Sequence, residues 1–544
     1  MLAILLLCFF TICCIWKLLR LYTLPSPLDN VPGPPRQSWL KGNLAQFFDL
    51  YDWKFLDDIC ETFGSVVKIQ GAFGDKFLSF LYVSDVKAIQ TMIKNGDVYE
   101  ENSVYLSLVS EVLGPGLAAT TGHLHRRQRK MLSPAFSPHR LREMAPIIHG
   151  VAHRLQQGML AQINSGATEV NIVPWMERAA LEVIGQAGLG CSFDPLTEKA
   201  DNVLGATAKA IIPALSALSY SRLLLPYMLK LGTPAIRSWI AARIPSRRLQ
   251  HLRRLKKTLR EEMSALFYAK KEAIKRGDEV ILQDVGEGKD ILSILLRANM
   301  NASETDRQTD EEVIAHMAIL TFAAIDTSST LLFIILELLS KRPDVQAKLR
   351  TEIIDRRQGS DPSFDELINL PYLHGVYCES LRLYPGAISI FRDVHSDTIM
   401  PLSSPVRGKD GKWMSEIHVP AGSAICVALR GCNTTKELWG EDAYEWKPER
   451  WLSPLPEAVL NANIPGVFPN LISFLGGERG CIGYRFAELE IKTILSVLIE
   501  SFSFSQTDRE IHWCKGDVRF PTMVKENNPR PCMFLKIEPC NAAA

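Results

Sequence analysis

The stretch of sequence that decides the fold reads Phe474-Leu475-Gly476-Gly477-Glu478-Arg479-Gly480-Cys481-Ile482-Gly483. A helical pattern over residues 484–502 follows at once, so Cys481 lies where a glycine-rich loop meets the start of a helix. Free backbone N–H groups and the positive end of the helix dipole stabilise a thiolate there, and we expect them to lower the pKa of Cys481. Glycines allow a bound group to approach the backbone closely. The loop therefore predicts a metal-ligating cysteine.

The composition indicates one large domain and excludes nucleic acid as the main partner. The 544 residues carry a net charge of +1 with basic and acidic residues interleaved, whereas a surface that follows phosphates needs a basic excess. No linker or break in composition follows residue 42. The 12 cysteines lack the spacing of a disulfide framework and contain no C-x-x-C pair, so we expect most to be reduced and buried.

Residues 1–24 predict an N-terminal transmembrane helix. Residues 2–16 are almost entirely apolar, and Lys17 and Arg20 follow them. The run is at the short end of what crosses a bilayer. A cleaved signal peptide, the alternative, would carry its positive charge before the apolar run. The positive-inside rule then places the rest of the chain in the cytosol, behind a stiff proline-rich hinge over residues 25–42.

The remaining pattern is mainly α with a small β part. Short strands are predicted at residues 66–70, 80–83, 387–391 and 424–429, and most of the chain up to about residue 385 predicts helix. Residues 311–340 form the longest helical pattern, and from residue 317 to 339 it is apolar on nearly every side, which is typical of a membrane span or a buried core helix. Asp326 and the hydroxyl residues after it would be costly in a bilayer. We therefore expect a core helix, in which a buried carboxylate beside a hydroxyl indicates function.

Two further patterns precede the Cys481 loop. Glu379-Ser380-Leu381-Arg382 places a carboxylate and a guanidinium on one face of a helix, and Pro448-Glu449-Arg450-Trp451 adds a second arginine. Each pattern alone is uninformative, and an ordinary surface ion pair is the alternative. Their order and spacing before Cys481 give them weight.

Together these patterns resemble those of the cytochrome P450 family, whose members hold a haem through a cysteine thiolate. The resemblance implies one large haem domain over residues 43–537, mainly α with a small β part, and a short tail over residues 538–544. It implies haem b, iron-protoporphyrin IX, with Cys481 as the iron ligand. The other haem-binding positions that it implies in this loop are Phe474, Gly477, Arg479 and Gly483. The residues that it implies as a structural lock behind the loop are Glu379, Arg382 and Arg450.

The segment Ala323-Ala324-Ile325-Asp326-Thr327 resembles the oxygen-activation motif of the family, which implies Thr327 and Asp326 as catalytic residues that deliver protons. Back-bonding of Thr327 within its helix is the alternative.

A basic segment, Gly122-His123-Leu124-His125-Arg126-Arg127-Gln128-Arg129-Lys130, resembles the W-x-x-x-R helix of the family. His125 stands in the place of the tryptophan, a variant associated with fungal members, and both rings offer an N–H donor. The resemblance implies that His125, Arg129 and Arg392 bind the haem propionates. For His125 and Arg129 the alternative is a solvated basic face.

The implied function is a monooxygenase that inserts one oxygen atom from O2 into a lipophilic small molecule, such as a terpenoid, in secondary metabolism. The chain has no G-x-G-x-x-G and no obvious flavin domain. The resemblance therefore implies electrons from NADPH–cytochrome P450 reductase at the endoplasmic reticulum membrane. Two alternatives stay open: a haem-thiolate isomerase or dehydratase that needs no reductase, and a haem sensor that turns nothing over.

Overall fold

The structure, a computed structural model, describes residues 26–75, 78–196, 203–216, 218, 225–230, 232–276, 288–357, 359–516, 518–526 and 529–540. The predicted membrane anchor over residues 1–24 lies outside these ranges, as do residues 541–544 of the predicted tail.

Helices make up most of the described chain, as predicted. The α-helices are α1 (Leu44–Phe47), α2 (Trp53–Phe63), α3 (Ala72–Asp75), α4 (Val86–Lys94), α5 (Ser103–Leu113), α6 (Gly122–Leu132), α7 (Pro138–Asn164), α8 (Ile172–Val183), α9 (Val203–Ser216), α10 (Leu225–Met228), α11 (Pro234–Arg243), α12 (Arg247–Arg276), α13 (Ile291–Met300), α14 (Asp310–Lys341), α15 (Pro343–Arg357), α16 (Phe364–Ile368), α17 (Pro371–Leu383), α18 (Leu429–Asn433), α19 (Lys436–Trp439), α20 (Glu457–Ala462) and α21 (Tyr484–Ser501). The strands are β1 (Val66–Ile69), β2 (Phe80–Val83), β3 (Tyr99–Glu101), β4 (Glu169–Asn171), β5 (Ile390–Val394), β6 (Thr398–Arg407), β7 (Trp413–Val419), β8 (Ala424–Val427), β9 (Phe502–Gln506), β10 (His512–Cys514), β11 (Phe520–Thr522) and β12 (Phe534–Pro539).

The long helix α14 runs through the core. It begins with a capping box, in which the side chains of Thr309 and Glu312 each accept the backbone N–H of the other residue. Within the described part of the chain, α14 is the one helix long and apolar enough to cross a membrane. Its side chains from Leu331 to Leu336 are nevertheless all buried. The prediction of a central buried helix is confirmed.

The main sheet has the strand order β1-β2-β8-β5-β3, and β2 and β8 are parallel. Strands were predicted at β1, β2 and β8, but β5 begins three residues later than predicted. The reason is pairing: the first residue of β5, Ile390, lies opposite Val427, the last residue of β8. Arg392 therefore lies inside the strand and opposite Glu101 of β3.

Three smaller sheets were not predicted: the hairpin β6-β7, the pair β10-β11 and the sheet β4-β12-β9. Pro401 and Pro405 lie within β6, and prolines argue against a strand. The ladder accommodates them through a shift in register between Pro401 and Val406. Strand β12 continues to Pro539, and the N–H of Cys540 donates to the carbonyl of Ser501 at 2.8 Å. The ordered fold thus extends beyond residue 537.

Part of the proline-rich segment packs on the domain. Val31 is buried, and the N–H of Lys68 in β1 donates to the carbonyl of Pro32 at 2.8 Å. A Cβ added at Gly33 would lie 2.1 Å from the carbonyl oxygen of Lys68, so only glycine permits this approach. From Val31 onward the segment runs along β1.

A buried ion-pair network is centred on Glu379 of α17. Glu379 and Arg382 are both 0% exposed, and two nitrogens of Arg382 donate to the two carboxylate oxygens at 2.8 Å each. Arg450 lies 3.3 Å from the same carboxylate. Trp451, which the sequence did not predict here, donates its indole N–H to Glu379 at 2.9 Å. The alternative of a surface ion pair does not hold.

The network reaches the Cys481 loop through Asn433. Arg382 donates to the carbonyl of Asn433 at 3.2 Å. The amide of Asn433 donates to the Ser473 hydroxyl at 2.8 Å and accepts the N–H of Ile472 at 3.0 Å. The Ser473 hydroxyl in turn donates to the carbonyl of Leu381 at 2.8 Å. The loop that begins at the next residue is thereby attached to α17.

We expect Glu379→Gln to lower the free energy of unfolding by about 3–5 kcal/mol, because it leaves two buried guanidinium groups facing a neutral amide. Denaturant unfolding of the purified protein measures this loss. The control is Glu510→Gln, at an exposed side chain, for which we expect a change within about 0.5 kcal/mol. Equal stability of the two variants would show that the network is dispensable.

Candidate functional site

Cys481 lies between a short turn, Gly477–Arg479, and the first residue of α21. Its backbone N–H donates to the carbonyl of Phe474 at 2.8 Å, which closes the loop. None of the nine cysteines in the described ranges forms a disulfide, and among them Cys481 alone is exposed. This thiol is therefore the one that a ligand can reach.

The tight course of the loop requires glycine at two positions. A Cβ added at Gly476 would lie 1.6 Å from the carbonyl oxygen of Pro465. Gly477 has a φ of +63°, and a Cβ there would lie 2.6 Å from the side chain of Ile93. Both glycines are thus needed for contacts within the protein itself. At Gly483 the space would accept a Cβ at ordinary contact distance.

The pKa of the Cys481 thiol is raised, which corrects the prediction from the helix start. Burial is the main cause, and it outweighs the hydrogen bond from the Gly483 N–H and the charge of Arg129, which both lower the pKa. Cys481 is exposed as a residue, although many protein atoms surround its sulfur. The side chain alone is therefore a thiol near neutral pH, and a coordinated metal would remove its proton.

Arg129 and Arg392, the arginines implied as propionate ligands, lie beside the loop, and Arg479 belongs to it. Arg129 donates to the carbonyl of Gly480 at 2.7 Å. Arg479 lies within the electrostatic reach of both Arg392 and Glu101. Arg392 is buried in β5 and forms an ion pair with Glu101. The structure therefore brings together residues that are more than 250 positions apart in the sequence.

His125 belongs to the same cluster. Its side chain is 3% exposed, so the alternative of a solvated face does not hold for it. Burial, followed by the charges of Arg479 and Arg129, lowers the pKa of His125 to about 4. The ring is therefore neutral near pH 7 and retains one N–H donor. Arg129 is half-buried.

These residues fit a haem. A cysteine sulfur is one of the axial ligands that haem iron takes. Three guanidinium groups surround the loop, and Glu101 is the carboxylate paired with Arg392. Excess positive charge in a half-buried place favours binding of carboxylates such as propionates. Sequence reasoning missed Glu101, because its role depends on the register between β3 and β5.

Thr327 lies on an accessible face of α14. Its hydroxyl donates to the carbonyl of Ala323 at 2.7 Å, which is the back-bonding alternative. Thr327 and Ala323 are both exposed, although Ile325 between them is buried. This face therefore borders a recess, and the Thr327 oxygen can still accept a hydrogen bond from a ligand. A Cβ at Gly386 would lie 3.6 Å from Thr327, so the segment after α17 also borders it.

Asp326 has a strongly perturbed pKa. Burial is the main cause that raises the pKa, the charge of Glu177 also raises it, the charge of Lys209 lowers it, and the net value is about 7. Glu177 and Lys209 form an ion pair at 2.9 Å, and both side chains are partly exposed. Asp326 is thus close to half-protonated at neutral pH and adjoins groups that meet solvent. No pattern in the sequence indicates Glu177 or Lys209, because both come near Asp326 only in the folded chain.

A second buried carboxylate lies behind α14. Glu490 of α21 is 0% exposed and accepts the Ser328 hydroxyl at 2.7 Å. Burial raises the pKa of Glu490 to about 8. Its other oxygen has no hydrogen-bond partner within the described ranges.

Comparison with known proteins agrees with this arrangement. The family model described as Cytochrome P450 matches residues 32–516. The chain is 44% identical to cytochrome P450 monooxygenase 81 of Postia placenta, over 94% of this chain and 93% of that protein. It is 43% identical to cytochrome P450 monooxygenase 91 of the same fungus, over 96% and 95%. It is 39% identical to a ganoderic acid synthetase of Ganoderma lucidum, over 96% of each chain.

The match is not confined to the Cys481 loop, since the family model covers almost all of the described core. The relatives are also aligned over nearly their full lengths. The chain therefore belongs to the cytochrome P450 family, and it is a monooxygenase.

Proposed function

We propose that this enzyme inserts one oxygen atom from O2 into a lipophilic small molecule, in a hydroxylation or a further oxidation, and that its substrate is a terpenoid of secondary metabolism. The observation that carries the reaction class is the exposed Cys481 in a loop that contains Arg479 and lies beside Arg129 and Arg392.

In this proposal Cys481 ligates the iron of haem b through its sulfur, and the arginines and His125 hold the propionates. Haem, when bound, supplies the activation of dioxygen. Thr327 presents a hydroxyl oxygen at the recess and positions the proton that is transferred there. Asp326 holds the next proton on its carboxyl group and exchanges it toward Glu177 and Lys209.

Two segments approach α14 on either side of Ala323. A Cβ at Gly116 would lie 2.6 Å from the side chain of Ile319, so the chain after α5 packs on α14 before Ala323. The segment after α17 approaches the same helix at Thr327. Ligand pockets are mostly apolar with few polar groups. A relative that is named a ganoderic acid synthetase favours the terpenoid class.

For the electron donor we propose NADPH–cytochrome P450 reductase, docking beside the Cys481 loop. Arg126 and Lys130 are exposed on α6, and Arg126 lies 3.6 Å from Glu478 of the loop. An exposed basic surface attracts an acidic partner and speeds encounter.

The proposal is tested on full-length protein. We expect the purified chain to carry haem b and its reduced carbon monoxide adduct to show the strongly red-shifted Soret band of sulfur ligation. Cys481→Ala should lose this band, whereas Cys532→Ala, the control, should keep it. A Cys481→Ala protein with an unchanged band would contradict the proposal. If the band is intact but candidate substrates do not stimulate NADPH consumption in the presence of the reductase, the isomerase or sensor alternatives would be favoured.

Asp326 should set the alkaline limit of activity. Because the pKa of Asp326 is about 7, we expect substrate-dependent NADPH consumption to fall as pH rises through 7 and the carboxyl group loses its proton. Asp326→Asn should reduce the rate about 100-fold and abolish this decline. Lys209→Met removes a charge that favours the carboxylate, so the decline should move to higher pH.

The matched control is Lys257→Met, at an exposed lysine of α12, which should leave the pH profile unchanged. A decline that persists in Asp326→Asn would assign the titration to another group.

We also propose a single N-terminal anchor in the endoplasmic reticulum membrane with the catalytic domain in the cytosol. The apolar run over residues 2–16, followed by Lys17 and Arg20, supports this orientation. Large apolar side chains on α10 and α11 are exposed, as expected of a surface that rests on lipid. They are Tyr227, Met228, Ile236, Trp239 and Ile240.

The orientation can be tested at Asn301, which is exposed and begins the sequon Asn301-Ala302-Ser303. In the cytosol it meets no oligosaccharyl transferase, so we expect no change in gel mobility on deglycosylation. As a positive control, replacing residues 1–24 by a secretory signal peptide should make Asn301 glycosylated. The sequon at Asn433 does not interfere, because Asn433 is buried and hydrogen-bonded to Ser473. A glycan on the natural chain would reverse the proposed topology.

A further inference from the structure

Two histidines of α7 lie far from the Cys481 loop in sequence and face one acidic side chain. His149 and His153 are one helical turn apart, so they share a face, and their rings stack with centroids 6.4 Å apart. Asp361 belongs to the connection between α15 and α16 and lies opposite this face. Two histidines at this spacing on a helix are a recurrent arrangement for binding zinc.

The distances between the possible ligand atoms are short. His153 Nε2 lies 2.9 Å from Asp361 Oδ2, and His149 Nδ1 lies 3.9 Å from the same oxygen. All three ligand atoms are within 4.8 Å of one another. Tetrahedral zinc with bonds of about 2.0–2.1 Å needs ligand atoms about 3.3 Å apart. Small side-chain movements would therefore complete the geometry.

The orientation of His149 is the strongest feature of this cluster. The side chain is 5% exposed, and its Nε2 lies 3.1 Å from the carbonyl oxygen of Pro362. This contact fixes the hydrogen on Nε2 and leaves a lone pair on Nδ1. Nδ1 is buried and has no hydrogen-bond partner among the residues that the structure describes. A backbone carbonyl that orients the far nitrogen of a histidine is the usual support of a metal ligand.

The surroundings hold the cluster in place. Arg142 of α7 donates to both oxygens of Asp365 at 2.7 and 2.8 Å, which fixes α16 and the preceding connection to α7. Arg357 is a competing cation at 3.4 Å from Asp361, but it also forms an ion pair with Glu500. Asp361 is thus available for a second cation.

We propose that His149, His153 and Asp361 form a structural site for a divalent cation of the zinc class, completed by water as the fourth ligand. Two imidazoles and one carboxylate are ligand types that zinc accepts. Within the ranges that the structure describes, no other group of three such side chains comes as close together. The site is independent of the proposed haem chemistry.

Metal at this site would join α7 to the connection before α16. Helix α7 packs against α21, whose first turn follows Cys481. The expected consequence is a higher melting temperature of the whole domain, because a ligand that binds only the folded state stabilises it.

The experiment uses the full-length, haem-loaded protein after treatment with a chelator. Zinc is added by equilibrium dialysis, and bound zinc is counted by mass spectrometry. We expect one tightly bound zinc per chain and a rise in melting temperature. His153→Ala and Asp361→Asn should each weaken zinc binding by at least about 10-fold and remove the thermal shift. Asp361→Asn keeps the shape of the side chain, so it guards against a folding defect.

His139→Ala is the matched control, because His139 is an exposed histidine at the start of the same helix. It should bind zinc as the parent does. The haem spectrum should be the same in all these proteins, which separates this proposal from that of the haem site. The proposal is overturned if the parent takes up no zinc, or if His153→Ala and Asp361→Asn bind it as tightly as His139→Ala.

Discussion

The position of Cys481 depends on the buried carboxylate of Glu379. Two arginines face this buried carboxylate, and their other guanidinium N–H groups donate to backbone carbonyls such as that of Ala443, at 2.6 Å from Arg382. Buried ion pairs are costly unless every donor has a partner. The network fixes the position of Asn433, which is hydrogen-bonded to the residues just before the Cys481 loop. A metal ligand must be held to within about 0.5 Å by supporting contacts of this kind.

Burial and the charges of the neighbouring arginines explain why a histidine can stand at position 125. Burial is the main reason that the ring stays neutral with a pKa of about 4, and the charges of Arg479, Arg129 and Arg126 lower the pKa further because they would repel a protonated ring. A neutral imidazole offers one N–H donor, as the indole of the usual tryptophan does. The arginines thus lower the pKa of His125, whereas the neutral histidine adds no charge to the cluster. Histidine in the place of tryptophan at position 125 therefore retains the N–H donor, and the positive charge of the cluster stays on the arginines.

The features that the sequence predicts depend on residues that are neighbours in the chain, whereas the features that it misses depend on contacts between distant segments. Helix α14 was predicted to within one residue at each end, because its helical and apolar pattern is local. The partners Glu101, Trp451 and Lys209 were not predicted, because each meets its target only through packing of distant segments. The pKa of Cys481 was predicted in the wrong direction for the same reason. The helix start is a local effect, whereas the burial that outweighs it is tertiary.

Two carboxylates with raised pKa values adjoin α14, and their surroundings decide which of them can deliver protons. Glu490 is completely buried, and Ser328 is its hydrogen-bond donor, so a proton that leaves it has no polar route outward through these contacts. Asp326 adjoins the partly exposed pair of Glu177 and Lys209, through which protons can be exchanged with solvent. Its pKa of about 7 also allows it to give and regain a proton at physiological pH. Glu490 therefore acts as a neutral hydrogen-bonding group between α14 and α21, and Asp326 is the carboxylate to which we assign the proposed delivery of protons.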